Sequence, residues 1–138
     1  MEKIIWDDSF SVGVEVLDQQ HRQIVEVINR LLEEPQEGFD ADQIARILDD
    51  LTKFVHLHFR MEEGLLAQHG YPDLQVQQAE HREFRVELAS LCMGSMKNHT
   101  VVPINALLYL KEWWVDHILV KDMQYRPFLS SRPGLLPS

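Results

Sequence analysis

Four histidines, at positions 21, 58, 81 and 117, each fall in the apolar repeat of a different predicted helix, where a core residue is expected. Two carboxylates accompany them. Glu62 lies one helical turn after His58 and points the same way, and Asp122 follows His117 by five residues. Gln77 precedes His81 by four on the same stripe. A single inward histidine is ordinarily a hydrogen-bonded core residue. Four of them with a carboxylate are a different matter, because an unpartnered buried polar group costs about 1–3 kcal/mol and an ionised one more. One shared inorganic cation would satisfy them together. Imidazoles with one or two carboxylates and no thiolate pair suit a borderline metal such as iron or zinc, not calcium or magnesium. Spacing leaves Asp122 open: five residues of ideal helix turn about 500°, roughly 140° net, so its participation requires the helix to unwind there.

The elements that must position these groups follow from apolar spacing. Met1 to Val14 has no helical period but holds Ile4, Ile5, Trp6, Phe10, Val12 and Val14, and reads as an extended arm packed on the rest, with a bend at Gly13. A first helix, about 15–34, carries Leu17, His21, Ile24, Val25, Ile28, Leu31 and Leu32. Pro35 to Gly38 breaks the pattern, and Asp40 can cap a second helix, about 41–68, whose inward series is Ile44, Leu48, Leu51, Val55, His58, Glu62 and Leu65. Gly70 and Pro72 close it. Asp73 can cap a third helix, about 74–93, with Leu74, Gln77, His81, Phe84, Leu88 and Leu91 inward, ending where Gly94 to Thr100 interrupts. The fourth, about 103–123, begins at Pro103 and carries Leu107, Leu110, Trp114 and His117. A Pro-bearing tail, 124–138, is expected to be irregular. Amphipathic helices with short connections predict an all-α, antiparallel up-down-up-down four-helix bundle in a single domain, 1–138.

Composition narrows the function. Thirteen Lys and Arg against 22 Asp and Glu give a net charge of -9, a field that repels phosphate backbones and anionic headgroups. Nucleic acid and membrane surface are therefore not expected as partners. Cys92 is the single cysteine and cannot form an internal disulfide; it reads as a buried structural thiol. Charges at Glu2, Lys3, Asp7 and Asp8 leave no apolar run of signal-peptide length, and no stretch has the roughly 18 apolar residues of a spanning helix, so the expectation is a soluble cytoplasmic protein.

The ordered segments Val12-Gly13-Val14, Asp18-Gln19-Gln20-His21, His58-Phe59-Arg60-Met61-Glu62-Glu63, Gly70-Tyr71-Pro72, Glu80-His81-Arg82-Glu83-Phe84 and His117-Ile118-Leu119-Val120-Lys121-Asp122 resemble the hemerythrin family in its bacterial, single-domain form. The resemblance covers nearly the whole chain. It implies two non-haem iron ions, bridged by carboxylates, that bind dioxygen reversibly. His21 and His58 would serve the more open iron, His81 and His117 the other, and Glu62 and Asp122 would bridge. The family has one more histidine, four residues before the one matching His81, and here that position is Gln77. Its amide oxygen is a neutral donor that could coordinate; otherwise water fills the position or the second iron is held weakly.

Other histidines are poor substitutes. His56 lies on roughly the opposite face from His58, His69 is about 16 Å further along the helix, and His99 falls in the break before the fourth helix. Glu63 reads as facing solvent or supporting a ligand, and Tyr125 as either hydrogen-bonding the site or packing the bundle end. The leading functional expectation is a dioxygen-binding protein for storage, delivery or sensing, not an enzyme. The alternative is a peroxidase, oxidase or nitric-oxide-binding protein that uses the position opened by Gln77. A metal-stabilised structural or iron-handling bundle is a third reading. Physiological partner and oligomeric state are not legible in these residues.

Overall fold

The stripe Leu17, Ile24, Val25, Ile28, Leu31 and Leu32 is buried along its length in the computed structural model of the chain, which describes residues 3–33, 41–98 and 104–130. It lies on helix α1 (Glu15–Glu33), which packs against α2 (Ala41–Gln68). Helix α2 packs in turn on α3 (Leu74–Asn98), and α4 (Ile104–Asp116) returns to α1. The architecture is the all-α, antiparallel four-helix bundle expected from the spacing. No strand occurs among the described residues, and none of their helices is long and apolar enough to cross a membrane.

The arm is held by polar clips that its apolar residues do not announce. The buried Asp18 carboxylate accepts from the Val12 amide at 2.9 Å and the Ser11 hydroxyl at 2.7 Å. Further up, the Asn29 side chain brackets Ile4, accepting from its amide at 2.7 Å and donating to its carbonyl at 2.8 Å. Ile4, Phe10, Val12 and Val14 are buried as expected, with a 3-10 turn at Asp8–Phe10; Ile5 instead faces solvent at 81% exposure, because successive residues of an extended arm alternate sides. Gly13 makes its bend at a φ of 82°.

Helix α2 ends in the turn predicted from Gly70. At a φ of 71°, Gly70 donates to the Ala67 carbonyl and Tyr71 to that of Leu66, the paired bonds that satisfy a helix's last carbonyls around a left-handed residue. Just before it, Leu66 is fully buried while Leu65 is only half-buried, a one-residue shift from the expected inward series. Asp73 lies at the start of α3, where its carbonyl accepts from Val76 and Gln77.

Three expectations are corrected at the C-terminal ends. Helix α3 continues through Gly94 to Asn98, since a lone glycine costs only about 1 kcal/mol relative to alanine and does not by itself stop a helix. After α4 the chain does not stay α-helical: His117–Asp122 forms a π-helical segment. Beyond it, residues placed in an irregular tail form α5 (Met123–Ser130), although it contains Pro127. Tyr125 and Leu129 are fully buried on that helix; at about 1.5–3 kcal/mol per large apolar side chain, their burial offsets the ~3 kcal/mol that an interior proline costs. The expected features at 34–40, at His99 to Pro103 and at 131–138 lie outside the described residues.

Two apolar clusters result. One gathers Ile24, Ile28, Leu51, Val55, Phe59, Phe84, Trp114 and others, and the second gathers Val12, Val14, Leu17, Leu66, Tyr71, Tyr125 and Leu129. The buried polar residues of the bundle interior lie on α1, α2, α3 and the π-helical segment, each of which also contributes to these clusters.

Candidate metal centre

His21, His58, Glu62, His81, His117 and Asp122 are all buried, with no more than 1% exposure, and their side chains meet. Glu62 turns Oε2 toward one pair of imidazoles, 3.2 Å from His58 Nε2 and 3.8 Å from His21 Nε2. Its Oε1 faces the other pair, 2.8 Å from His81 Nε2 and 4.0 Å from His117 Nε2. Asp122 divides in the same way, with Oδ2 3.2 Å from His21 Nε2 and Oδ1 3.1 Å from His117 Nε2. Both carboxylates thus straddle two pairs of imidazoles. Donor atoms close enough to hold a cation fall into two overlapping groups, His21, His58, Glu62 and Asp122 in one and Glu62, His81 and His117 in the other.

The π-helical segment resolves the spacing of Asp122. Its i→i+5 hydrogen bonding widens the turn so that a residue five positions on returns nearly above the first. His117 and Asp122 bound the segment and face the same side. The unwinding that the five-residue spacing required is therefore one π turn, and His117 at its start and Asp122 at its end are both in the core.

A second layer orients the imidazoles. The His58 Nδ1–H donates to Gln20 Oε1 at 2.9 Å, and the His81 Nδ1–H donates to Glu63 Oε2 at 2.7 Å. In the neutral ring each such bond leaves the Nε2 lone pair pointing into the site. Glu63 Oε2 also accepts from Arg85 Nη2 at 3.1 Å. Rings pack the same groups: Phe59 stacks on His81 with centroids 3.7 Å apart, and Trp113 on His117 at 4.5 Å. The Tyr125 hydroxyl donates to Glu62 Oε2 at 2.8 Å, so this tyrosine bonds the site and is also fully buried in the bundle end.

Charge in the cluster is balanced by protons when no cation is present. Burial disfavours the His21 and His117 cations, yet Asp122 and Glu62 beside them override that cost and push their pKa values up to about 9 and about 10. His81 is raised despite burial by Glu62 and Glu63, whereas burial and the neighbouring His21 depress His58. Glu62, although buried, is held well below the usual carboxylate range by the imidazoles around it. Among the described residues, His21 Nε2, His58 Nε2, Glu62 Oε1 and both oxygens of Asp122 meet carboxylate or imidazole atoms only as close ion-pair contacts without a well-directed hydrogen bond, and His21 Nδ1 has no hydrogen-bond partner. Their chemistry, imidazole nitrogen and carboxylate oxygen aimed at common points, fits divalent or trivalent metal ions.

A family model described as the hemerythrin HHE cation binding domain matches residues 12–129. The chain belongs to the hemerythrin family. It is similar to a bacteriohemerythrin of Clostridium acetobutylicum, with 30% identity over 125 residues covering 88% of this chain and 97% of that protein. A bacteriohemerythrin of Methylococcus capsulatus is 30% identical over 122 residues, covering 88% and 92%. Among solved structures, one of wild-type hemerythrin superposes with a TM-score of 0.83 at 27% identity, covering 93% of this chain and 98% of the other. The hemerythrin match ends inside α5, so the helix unexpected from sequence is part of the domain.

Gln77 stands where the sequence resemblance implies one more histidine. The side chain is buried on α3; Nε2 donates to the Lys121 carbonyl at 3.2 Å and Oε1 has no hydrogen-bond partner among the described residues. Gln77 is thereby tied to the π-helical segment that carries Asp122. His56 is exposed and His69 half-buried, as their spacing predicts. Cys92 is half-buried beside Thr52 Oγ1, and burial pushes its thiol up, which suits an unreactive structural role. Gln20 and Arg85 were not singled out from the sequence as parts of the site. Their partners lie 38 residues away for Gln20 and 22 for Arg85, and helical periodicity carries no signal for such pairs.

Proposed function

We propose that the chain holds two non-haem iron ions within its bundle and binds dioxygen there reversibly. The observation that carries this reading is the split of Glu62 and Asp122, each offering one oxygen to either pair of imidazoles. His21 and His58 would serve one iron, His81 and His117 the other, with both carboxylates shared. When bound, the iron pair supplies the electrons on which dioxygen binding depends.

The chain's own residues prepare the rest. Gln20 and Glu63 hold His58 and His81 with their Nε2 atoms inward. Tyr125 fixes one oxygen of Glu62 and keeps a proton at its own hydroxyl, since burial raises its pKa well above the ordinary value. Leu17, Ile24, Ile28 and Trp114, all fully buried, surround the His21 stripe with apolar surface that excludes water. Gln77 Oε1 is a neutral oxygen donor to the second iron in this reading, its orientation supported by the bond from Nε2 to Lys121.

The test is anaerobic loading with ferrous salt, followed by metal analysis and controlled exposure to air. Two irons per chain and an oxygenated absorption band that disappears under vacuum are expected. Uptake of no stoichiometric iron would overturn the proposal. Gln77 also favours a second reading, in which an amide donor weaker than imidazole leaves the second iron accessible to peroxide or nitric oxide. Sustained peroxide turnover with a reductant, slowed by Gln77→His, would replace the carrier reading with this one.

A further inference from the structure

Among the described residues, only one inward imidazole of the centre leans on a carboxylate behind it. There His21 Nδ1 and His117 Nδ1 have no hydrogen-bond partner, and His58 Nδ1 meets the neutral amide of Gln20. His81 Nδ1 meets Glu63 Oε2 at 2.7 Å, and the same oxygen takes a bond from Arg85 at 3.1 Å. The sequence provides this with economy: Glu63 directly follows Glu62 on α2, and Arg85 stands one turn after His81 on α3. Arg85 also lies over the Phe59 ring, 5.4 Å from its centroid, while that ring is stacked on His81 within 2° of parallel. His81 is thus clamped by the aromatic face on one side and the ion pair at its outer nitrogen.

Glu63 and Arg85 are at the edge of the bundle. Their side chains are 20% and 36% exposed, and with His56 and Arg60 they line a surface cavity of about 330 Å³. A charge there acts on the buried site chiefly through the His81 ring. A carboxylate accepting from the outer N–H of a ligating imidazole makes that imidazole a stronger electron donor, which favours the more highly charged metal. A guanidinium on the same carboxylate oxygen withdraws part of that effect.

Resting on the diiron reading above, we propose that Glu63, with its charge moderated by Arg85, is a positioning residue that makes His81 the most electron-donating imidazole of the centre and lowers its reduction potential. The placement has a chemical logic. His81 belongs to the half of the site where Gln77 offers only an amide, so the added donation falls beside a neutral, weaker donor.

Reduction potentials of the iron-loaded wild type, Glu63→Gln and Arg85→Met test this. Glu63→Gln keeps an acceptor and the shape but removes the charge; its preference for ferric over ferrous iron should fall about tenfold, a potential about 59 mV more positive for a one-electron step. Arg85→Met should move the potential the opposite way, by less. Glu63→Asp, which keeps the charge, should stay near the wild type. Opposite signs separate this role from a structural one, since general loosening of the site would shift Glu63→Gln and Arg85→Met together. No change in Glu63→Gln, or shifts of the same sign in the two variants, would overturn the proposal. A redox-silent readout accompanies it: in zinc-loaded protein the His81 Nδ1 proton should resonate furthest downfield of the imidazole protons and move upfield in Glu63→Gln, and its failure to move counts equally against the idea. Failure of wild-type protein to take up two irons would instead strike the functional reading, so the two failures are distinguishable.

Discussion

The two halves of the candidate centre share their carboxylates but are built differently. Behind the half with His21 and His58 stand a neutral amide, on His58, and, among the described residues, no partner on His21 Nδ1. Behind the half with His81 and His117 stand an ion pair, on His81, and stacked rings on both imidazoles, with Gln77 four residues before His81 on α3. The first half is lightly supported behind its imidazoles, and the second is heavily supported. What this teaches is that shared carboxylates do not make the two halves alike, because the groups behind the imidazoles differ.

The largest effect on this comparison should come from the residue that abolishes it. Glu62 belongs to both donor groups, so Glu62→Ala is expected to lower iron from two per chain to well below one, read by metal analysis after gel filtration. Loss confined to one half would show that the halves are independent. Next, Gln77→His should tighten retention of the second iron by about 10–100-fold in a chelator competition, because an imidazole replaces the neutral amide, and Gln77→Leu should weaken it. Equal retention in all three proteins would mean that position 77 does not contribute a donor.

Removing metal should expose a pH dependence that the loaded protein lacks. His21 and His117 are raised from 6.5 to about 9 and about 10 in the fold, so they bind protons that the unfolded chain has released. Their contribution is fully present below pH 6.5 and is lost as the pH rises through those folded values. The thermal midpoint of metal-free protein should therefore fall between pH 7 and pH 10, while the metal-loaded protein changes less because cations replace the protons. A metal-free midpoint that rose across this range would contradict the charge balance described for the site. The smallest effect is expected from Gln20→Ala, which removes the neutral support of His58: about tenfold weaker iron binding, at the low end for an outer partner. A larger loss than Glu63→Ala produces would reverse the ranking of the two supports.

Much of the centre was legible in the sequence, for a definite reason. A helix that buries His21, His58, His81 or His117 in a series of Leu, Ile and Val must place that imidazole inward, whatever its neighbours do. The turn after α2 was equally local, since Gly70 supplies the left-handed residue and Pro72 prevents continuation. Gly94 and Pro127 misled because each is a local penalty of a few kcal/mol at most, and the helices around them are held by burial elsewhere. The clip of Asp18 on the arm, the pairing of Gln20 with His58 and the link from Arg85 through Glu63 to His81 connect residues on different elements. Short polar side chains have no period that would reveal such partners.

The sequence by itself determined the four amphipathic helices, the inward imidazoles and the carboxylate one turn from His58, because all of these depend on spacing along a regular helix. Only the tertiary structure decided how Asp122 reaches the other carboxylate and the imidazoles, and which groups stand behind those imidazoles. A five-residue step misses on an ideal helix, and it succeeds here because α4 is packed against α1, and Tyr125 and Leu129 of α5 are buried in the second core cluster. With both ends held, the chain between them takes the wider π turn, and that is a property of the packed bundle and not of the six residues that form it.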